Sequence, residues 1–168
     1  MRCLAPRLGA GMKFSIKSPQ EMMKFAAQMA PSLKKGDIIG LSGELGAGKT
    51  VFIKGLAKGL KIKEEPSSPS FVIINEYKGR LPLYHFDVYR LDDIKQMDDL
   101  GYEEYFYGNG VTVIEWVEKI EKLIKGKWTK ITIKYTKNDN ERLIRVWHCK
   151  VANTRRGLAL GTPRSGKA

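Results

Sequence analysis

Eight consecutive residues, Gly43-Glu44-Leu45-Gly46-Ala47-Gly48-Lys49-Thr50, match the pattern GxxxxGK[ST] in full. Each fixed position has a chemical reason. Phosphate oxygens must approach the backbone closely, so side chains are excluded at Gly43 and Gly48. Successive backbone N–H groups then point into one concavity, and the helix that begins there adds its positive dipole end. Lys49 reaches the β- and γ-phosphates, and the Thr50 hydroxyl supplies one oxygen to Mg2+. At average residue usage, a chance match in a chain of this length is expected in under roughly 1% of sequences. The eight residues predict a site for a nucleoside triphosphate with Mg2+.

Such a site needs a further acid to hold or order the metal, usually after an apolar strand. Two acids qualify. Asp87 follows Leu83-Tyr84-His85-Phe86, and Glu115 follows Val111-Thr112-Val113-Ile114. Both belong where strands deliver side chains to the phosphate edge. Which one binds metal and which orders the attacking water is left open by the sequence. Arg90, three residues after Asp87, can contact phosphate or pair with an acid. Trp116, directly after Glu115, can pack near the nucleotide or fill the core. His85 and His148 read as satisfied structural histidines in strand patterns, and Met22 and Met29 as ordinary core. Guanine readers carry an NKxD segment, which Thr136-Lys137-Asn138-Asp139 does not match, so ATP is favoured.

The elements that must position these groups alternate between strand and helix signals. Lys13 to Lys17 has the strand period. Ser18-Pro19-Gln20-Glu21 is a capping box with proline at the first helical position. Behind it, Met22, Phe25, Ala26 and Met29 repeat at helical spacing, and Pro31 marks the end. Asp37 to Ser42 reads as a buried parallel strand, and Lys49 to Leu60 as a helix. Phe71 to Tyr77 and Leu81 to Val88 are strands joined by a Lys78-Gly79-Arg80 turn, hence antiparallel. Asp92 to Tyr107 is helical in part, Val111 to Glu115 a buried strand, and Trp116 to Lys125 a helix with Val117, Ile120 and Ile124 on one face. Trp128 to Thr136 and Arg142 to Cys149 form a closing hairpin around Asn138-Asp139-Asn140. The expected fold is α/β, a P-loop NTPase-like three-layer domain with a mixed parallel and antiparallel sheet.

The 168 residues suit one domain, and no apolar run approaches the roughly 20 residues needed to cross a bilayer. Cys3 and Cys149 lie in no CxxC or Cys/His metal spacing and read as free thiols of a reducing cytoplasm. Residues 1–11 read as a disordered leader or expression remnant, 12–150 as the nucleotide-binding domain and 151–168 as a disordered basic tail. The net charge is +12. The flanks carry half of it, and the body the other half. A basic body permits a polyanion partner without demonstrating one.

Four spaced motifs resemble those of the TsaE (YjeE) family across about Lys13 to Cys149. Leu41 to Thr50 (LSGELGAGKT) is similar to its P-loop and Ser68 to Phe71 (SPSF) to its switch-type segment. His85 to Arg90 (HFDVYR) looks like its Asp-centred strand, and Val113 to Trp116 (VIEW) like its second acidic motif. Ser70 departs from the family's more frequent threonine but keeps the hydroxyl. The resemblance implies the ATPase of bacterial tRNA threonylcarbamoyladenosine synthesis, weak alone and stimulated by a TsaB–TsaD pair. TsaD transfers threonylcarbamoyl to the adenosine beside the anticodon of tRNA. It also implies phosphate and Mg2+ roles for Lys49 and Thr50, positions around metal and water for Asp87 and Glu115, and Trp116 near the nucleotide. Two other readings remain: a small nucleoside or metabolite kinase with Asp87 as base, and a non-catalytic RNA-binding module.

Overall fold

The structure, a computed structural model, describes residues 11–67 and 73–151. Its elements in chain order are β1 (Met12–Ile16), α1 (Pro19–Met29), β2 (Ile38–Ser42), α2 (Lys49–Gly59) and β3 (Ile74–Tyr77). They continue with β4 (Leu83–Asp87), α3 (Gln96–Asp99), α4 (Tyr102–Phe106), β5 (Val111–Glu115), β6 (Gly126–Tyr135) and β7 (Arg142–Val151). The strands form one sheet in the order β1-β7-β6-β2-β5-β4-β3. β2 pairs in parallel with β5 and β6, and β5 with β4. β3 against β4, β6 against β7 and β1 against β7 are antiparallel.

The mixed α/β sheet follows from the alternation of apolar residues. Ile39, Leu41, Val111, Val113, Ile131 and Ile133 turn one way and bury Phe52, Ile53 and Leu56 of α2 with Met22 and Ala26 of α1. Their strand neighbours Ile38, Phe86 and Ile114 turn the other way, against Met97 of α3 and Tyr102 and Phe106 of α4. The side-chain period of two sends consecutive residues to opposite faces, so helices can cover both. A Cβ at Gly55 would lie 2.3 Å from the Met23 carbonyl oxygen, so the bare glycine lets α2 press against α1.

The start of α1 differs in one detail from the expected capping box. The Ser18 hydroxyl accepts from the Glu21 N–H at 3.1 Å, but the Glu21 carboxylate takes the N–H of Lys17, at 2.7 Å, rather than that of Ser18. A larger correction concerns residues 116–125. They form two 3-10 turns, Val117–Lys119 and Glu121–Leu123, not one helix. Trp116 is left-handed, at φ 62 and ψ 40, and Ile120 stands at φ −126, so no continuous run of α dihedrals exists. Val117, Ile120 and Ile124 are nevertheless buried: the spacing of three from Val117 to Ile120 serves a 3-10 turn as well as a helix, and Ile124 follows the second turn. Val151, expected in the disordered tail, instead ends β7, paired with Gly126. Ser68 to Phe71, the first residues of the strand expected at Phe71 to Tyr77, and residues 1–10 and 152–168 lie outside the described residues. No described helix is long and apolar enough to cross a membrane.

Candidate functional site

Parallel pairing brings the chemistry-bearing residues to one edge. In register, Leu41 stands opposite Glu115, and Glu115 opposite Asp87. The carboxyl ends of β2, β5 and β4 therefore finish level, and the glycine-rich loop leaves β2 two residues after Leu41. Open parallel sheets bind ligands outside the carboxyl ends of their strands. Both acids singled out in the sequence lie there.

The loop owes its shape to its glycines. Gly46 and Gly48 have φ of 74 and 107, in the region that side chains disfavour. Gly43 has a further constraint: a Cβ there would come within 2.5 Å of the Ile133 carbonyl oxygen on β6. The Ala47 methyl is buried in the core, while Glu44 and Leu45 are exposed, Leu45 by 74%. The side chains of Lys49 and Thr50 turn to the site. The Lys49 ammonium donates to the carbonyls of Gly43 at 2.8 Å and Glu44 at 2.9 Å and lies 3.7 Å from the centre of the Trp116 ring. Burial holds its pKa below the ordinary lysine value, against the opposing pull of Glu115, Glu118 and Asp87. Trp116 reaches this position through its left-handed backbone, a conformation costly outside glycine that often marks functional sites. Its other neighbour is Tyr89, with ring centres 4.9 Å apart.

Beneath the loop, three side chains are linked. The Thr50 hydroxyl lies 3.2 Å from one Glu115 oxygen and 3.5 Å from the other. His85 Nε2 lies 3.0 Å from the nearer of these, Oε1. Glu115 is 3% exposed and His85 fully buried. Asp87 ends the next strand; burial raises its carboxyl above the usual aspartate range, and the charge of Glu115 adds to the rise. The Tyr89 N–H on Asp87 Oδ1, at 3.0 Å, works the other way. Arg90 is exposed beyond this turn. His148 is far from the cluster along the chain and exposed, beside the Thr129 hydroxyl at 3.3 Å.

Sequence reasoning treated His85 as a satisfied structural residue. The structure corrects this: it ties His85 to Glu115, and its Nδ1 is buried without a hydrogen-bond partner. The period of two would have flagged it, since His85 lies two residues before Asp87 and shares its face. The β6–β7 hairpin is present as expected, but its contact with the loop was missed. The Tyr135 hydroxyl donates to the Leu45 carbonyl at 2.8 Å, and Arg142 stacks on the Tyr135 ring at 4.2 Å. A cavity of about 130 Å3 lies between the loop (Gly46, Gly48), Val51, Met22 and the hairpin residues Asn140 and Arg142. No tyrosine or arginine spacing announces either contact.

Among the described residues, no three His, Cys, Asp or Glu side chains gather as a metal cage. One or two carboxylates, a hydroxyl and substrate phosphates are the usual Mg2+ donors, and Thr50, Glu115 and Asp87 offer that chemistry.

Comparison with known proteins points in one direction. The profile of the family described as "Threonylcarbamoyl adenosine biosynthesis protein TsaE" matches residues 16–144. The tRNA threonylcarbamoyladenosine biosynthesis protein TsaE of Bacillus subtilis is 46% identical over 134 residues, covering 79% of this chain and 83% of the relative. The protein of the same name from Treponema pallidum is 39% identical over 127 residues, covering 76% and 94%. A crystal structure of Bacillus subtilis YdiB superposes with a TM-score of 0.69 at 40% identity, over 83% of this chain and 86% of that one.

Proposed function

The chain belongs to the TsaE family, and on that premise we propose that it is a Mg2+-dependent P-loop ATPase of tRNA threonylcarbamoyladenosine synthesis, acting on a TsaB–TsaD-like complex in the cytoplasm. Its part in that modification follows from the family. The ATPase reading is carried by one observation: the Thr50 hydroxyl and the Glu115 carboxylate meet at 3.2 Å beneath a glycine-rich loop whose Lys49 is held at its mouth.

The roles divide by geometry. The backbone of Gly43 to Thr50 and the Lys49 ammonium bind the phosphates, the ammonium exchanging two carbonyls for phosphate oxygens. Thr50 and Glu115 would hold Mg2+, which when bound would neutralise phosphate charge. Asp87, whose raised pKa suits a proton acceptor, orders the attacking water. Trp116 shields the lysine from solvent and strengthens its field. The cavity beside Gly46 and Val51 is a partial recess, smaller than the roughly 300 Å3 of a full ligand pocket, against which one edge of the nucleoside would rest.

The sheet edge is open at Leu45 and Tyr89, each at least half exposed. Water exclusion over the γ-phosphate is therefore incomplete in the single chain, which supports slow turnover alone and completion by a partner. The test is calorimetric titration with Mg-ATP. Wild type binds, and Lys49→Ala binds at least roughly tenfold more weakly, as the loss of a charge-assisted hydrogen bond requires. Equal affinity refutes the assignment.

A further inference from the structure

We infer that His85 is a positioning residue for Glu115, fixing the carboxylate from the protein interior so that its remaining lone pairs face Thr50. The inference rests on the proposed metal role of Glu115 and Thr50. Register sets the geometry: His85 stands opposite Val113, and Asp87 opposite Glu115, so the imidazole and the Glu115 carboxylate are diagonal neighbours on one face. Their contact, at 3.0 Å, is closed to water, since the two residues are 0% and 3% exposed. A carboxylate accepts hydrogen bonds, so Nε2 carries the proton. Nδ1 is buried with no partner.

That orphaned nitrogen separates positioning from packing. A buried polar atom without a partner costs stability, whereas an apolar side chain of similar shape would fill the site without that cost. The Tyr77 ring is stacked 6.5 Å away, and Asp87, two residues on along the same strand, feels His85 only through space. What the imidazole supplies is one directed bond to Glu115 Oε1, the oxygen that also receives the Thr50 hydroxyl. Partners behind a ligating carboxylate orient it, and their loss typically lowers metal affinity or activity about 10- to 100-fold.

The experiment compares His85→Leu, which removes the donor, with His85→Gln, which returns an N–H. Nucleotide binding is measured by calorimetry with Mg2+ and with chelator, alongside kcat, KM and melting temperature. For His85→Leu the expected result is a folded protein with chelator-state nucleotide affinity within about twofold of wild type and unchanged KM. Its Mg2+ affinity in the nucleotide complex and its kcat fall about tenfold or more. His85→Gln recovers most of both. Wild-type Mg2+ affinity in the leucine variant, or equal impairment of the two variants, overturns the inference. If the leucine variant does not fold, the glutamine variant decides, since loss of Mg2+ affinity in a folded His85→Gln contradicts rescue. A long-range 1H–15N spectrum of the nucleotide-free protein provides a separate reading. It should show the Nε2-protonated ring, shifted in Glu115→Gln; no shift overturns the inference. Failure of wild type to bind Mg-nucleotide would instead sink the ATPase reading, leaving the spectrum to judge the His85–Glu115 bond.

Discussion

The ammonium of Lys49 lies 3.7 Å from the centre of the Trp116 ring while its protons are taken by the carbonyls of Gly43 and Glu44. The loop thus satisfies its own lysine. An ammonium over an indole face gains roughly 0.5–2 kcal/mol, depending on how far it is desolvated. Phosphates must draw the ammonium off these carbonyls, which changes the surroundings of the indole. Added Mg-ATP is therefore expected to alter the tryptophan emission of the wild type. The alteration should vanish in Trp116→Phe, although calorimetry still detects binding. A persisting signal would assign it to Trp128 or Trp147.

Asp87 gives a pH signature. Burial raises its carboxyl above the unfolded value of about 3.8. Between that value and the raised one the folded state binds more protons than the unfolded, so stability falls as pH rises through the window. At neutral pH the ionised carboxylate is a net cost. Asp87→Asn, which still accepts the Tyr89 N–H, should melt higher than wild type at pH 7. The advantage should shrink as pH drops toward 4, and hydrolysis should be lost. A lower melting temperature at pH 7 would show that the charge is compensated.

Glu115 links metal chemistry to packing. Glu115→Ala strands both ring nitrogens of His85 in the interior, and an unsatisfied buried group costs about 1–3 kcal/mol. Glu115→Gln keeps an acceptor oxygen for His85 and should unfold at a denaturant concentration close to wild type. Both variants should bind nucleotide in chelator and fail to turn it over. Full turnover in either would remove Glu115 from the mechanism.

Gly43 is held by a contact with the sheet as well as by the needs of a phosphate. A methyl there meets the Ile133 carbonyl at 2.5 Å, and backbone yields less readily than a side chain. Gly43→Ala should destabilise the nucleotide-free protein by roughly 1–3 kcal/mol, the usual range for overpacking. Urea unfolding without nucleotide checks this; an unchanged midpoint would leave phosphate approach as the only reason for the glycine.

What the sequence disclosed was whatever is governed by local period and spacing. The loop, the strands ending at Asp87 and Glu115, and the apolar face of Val117, Ile120 and Ile124 all fall in that class. The conformation of residues 117–123 did not, because α and 3-10 turns share a spacing of three and the left-handed Trp116 has no sequence mark. Long-range contacts were also hidden. Tyr135 supporting Leu45, 90 residues apart in sequence, depends on how the β6–β7 hairpin folds back along the loop. His85 is intermediate: its face could be read from Asp87, but its diagonal step to Glu115 required the register of β4 on β5.

The central claim is most directly tested by ATP hydrolysis of the purified chain, first alone and then with TsaB, TsaD and tRNA, with Lys49→Ala alongside. The account predicts slow Mg2+-dependent hydrolysis alone, marked stimulation by the assembled partners, and neither in Lys49→Ala. Fast hydrolysis alone that the partners leave unchanged, or activity that survives Lys49→Ala, would contradict it.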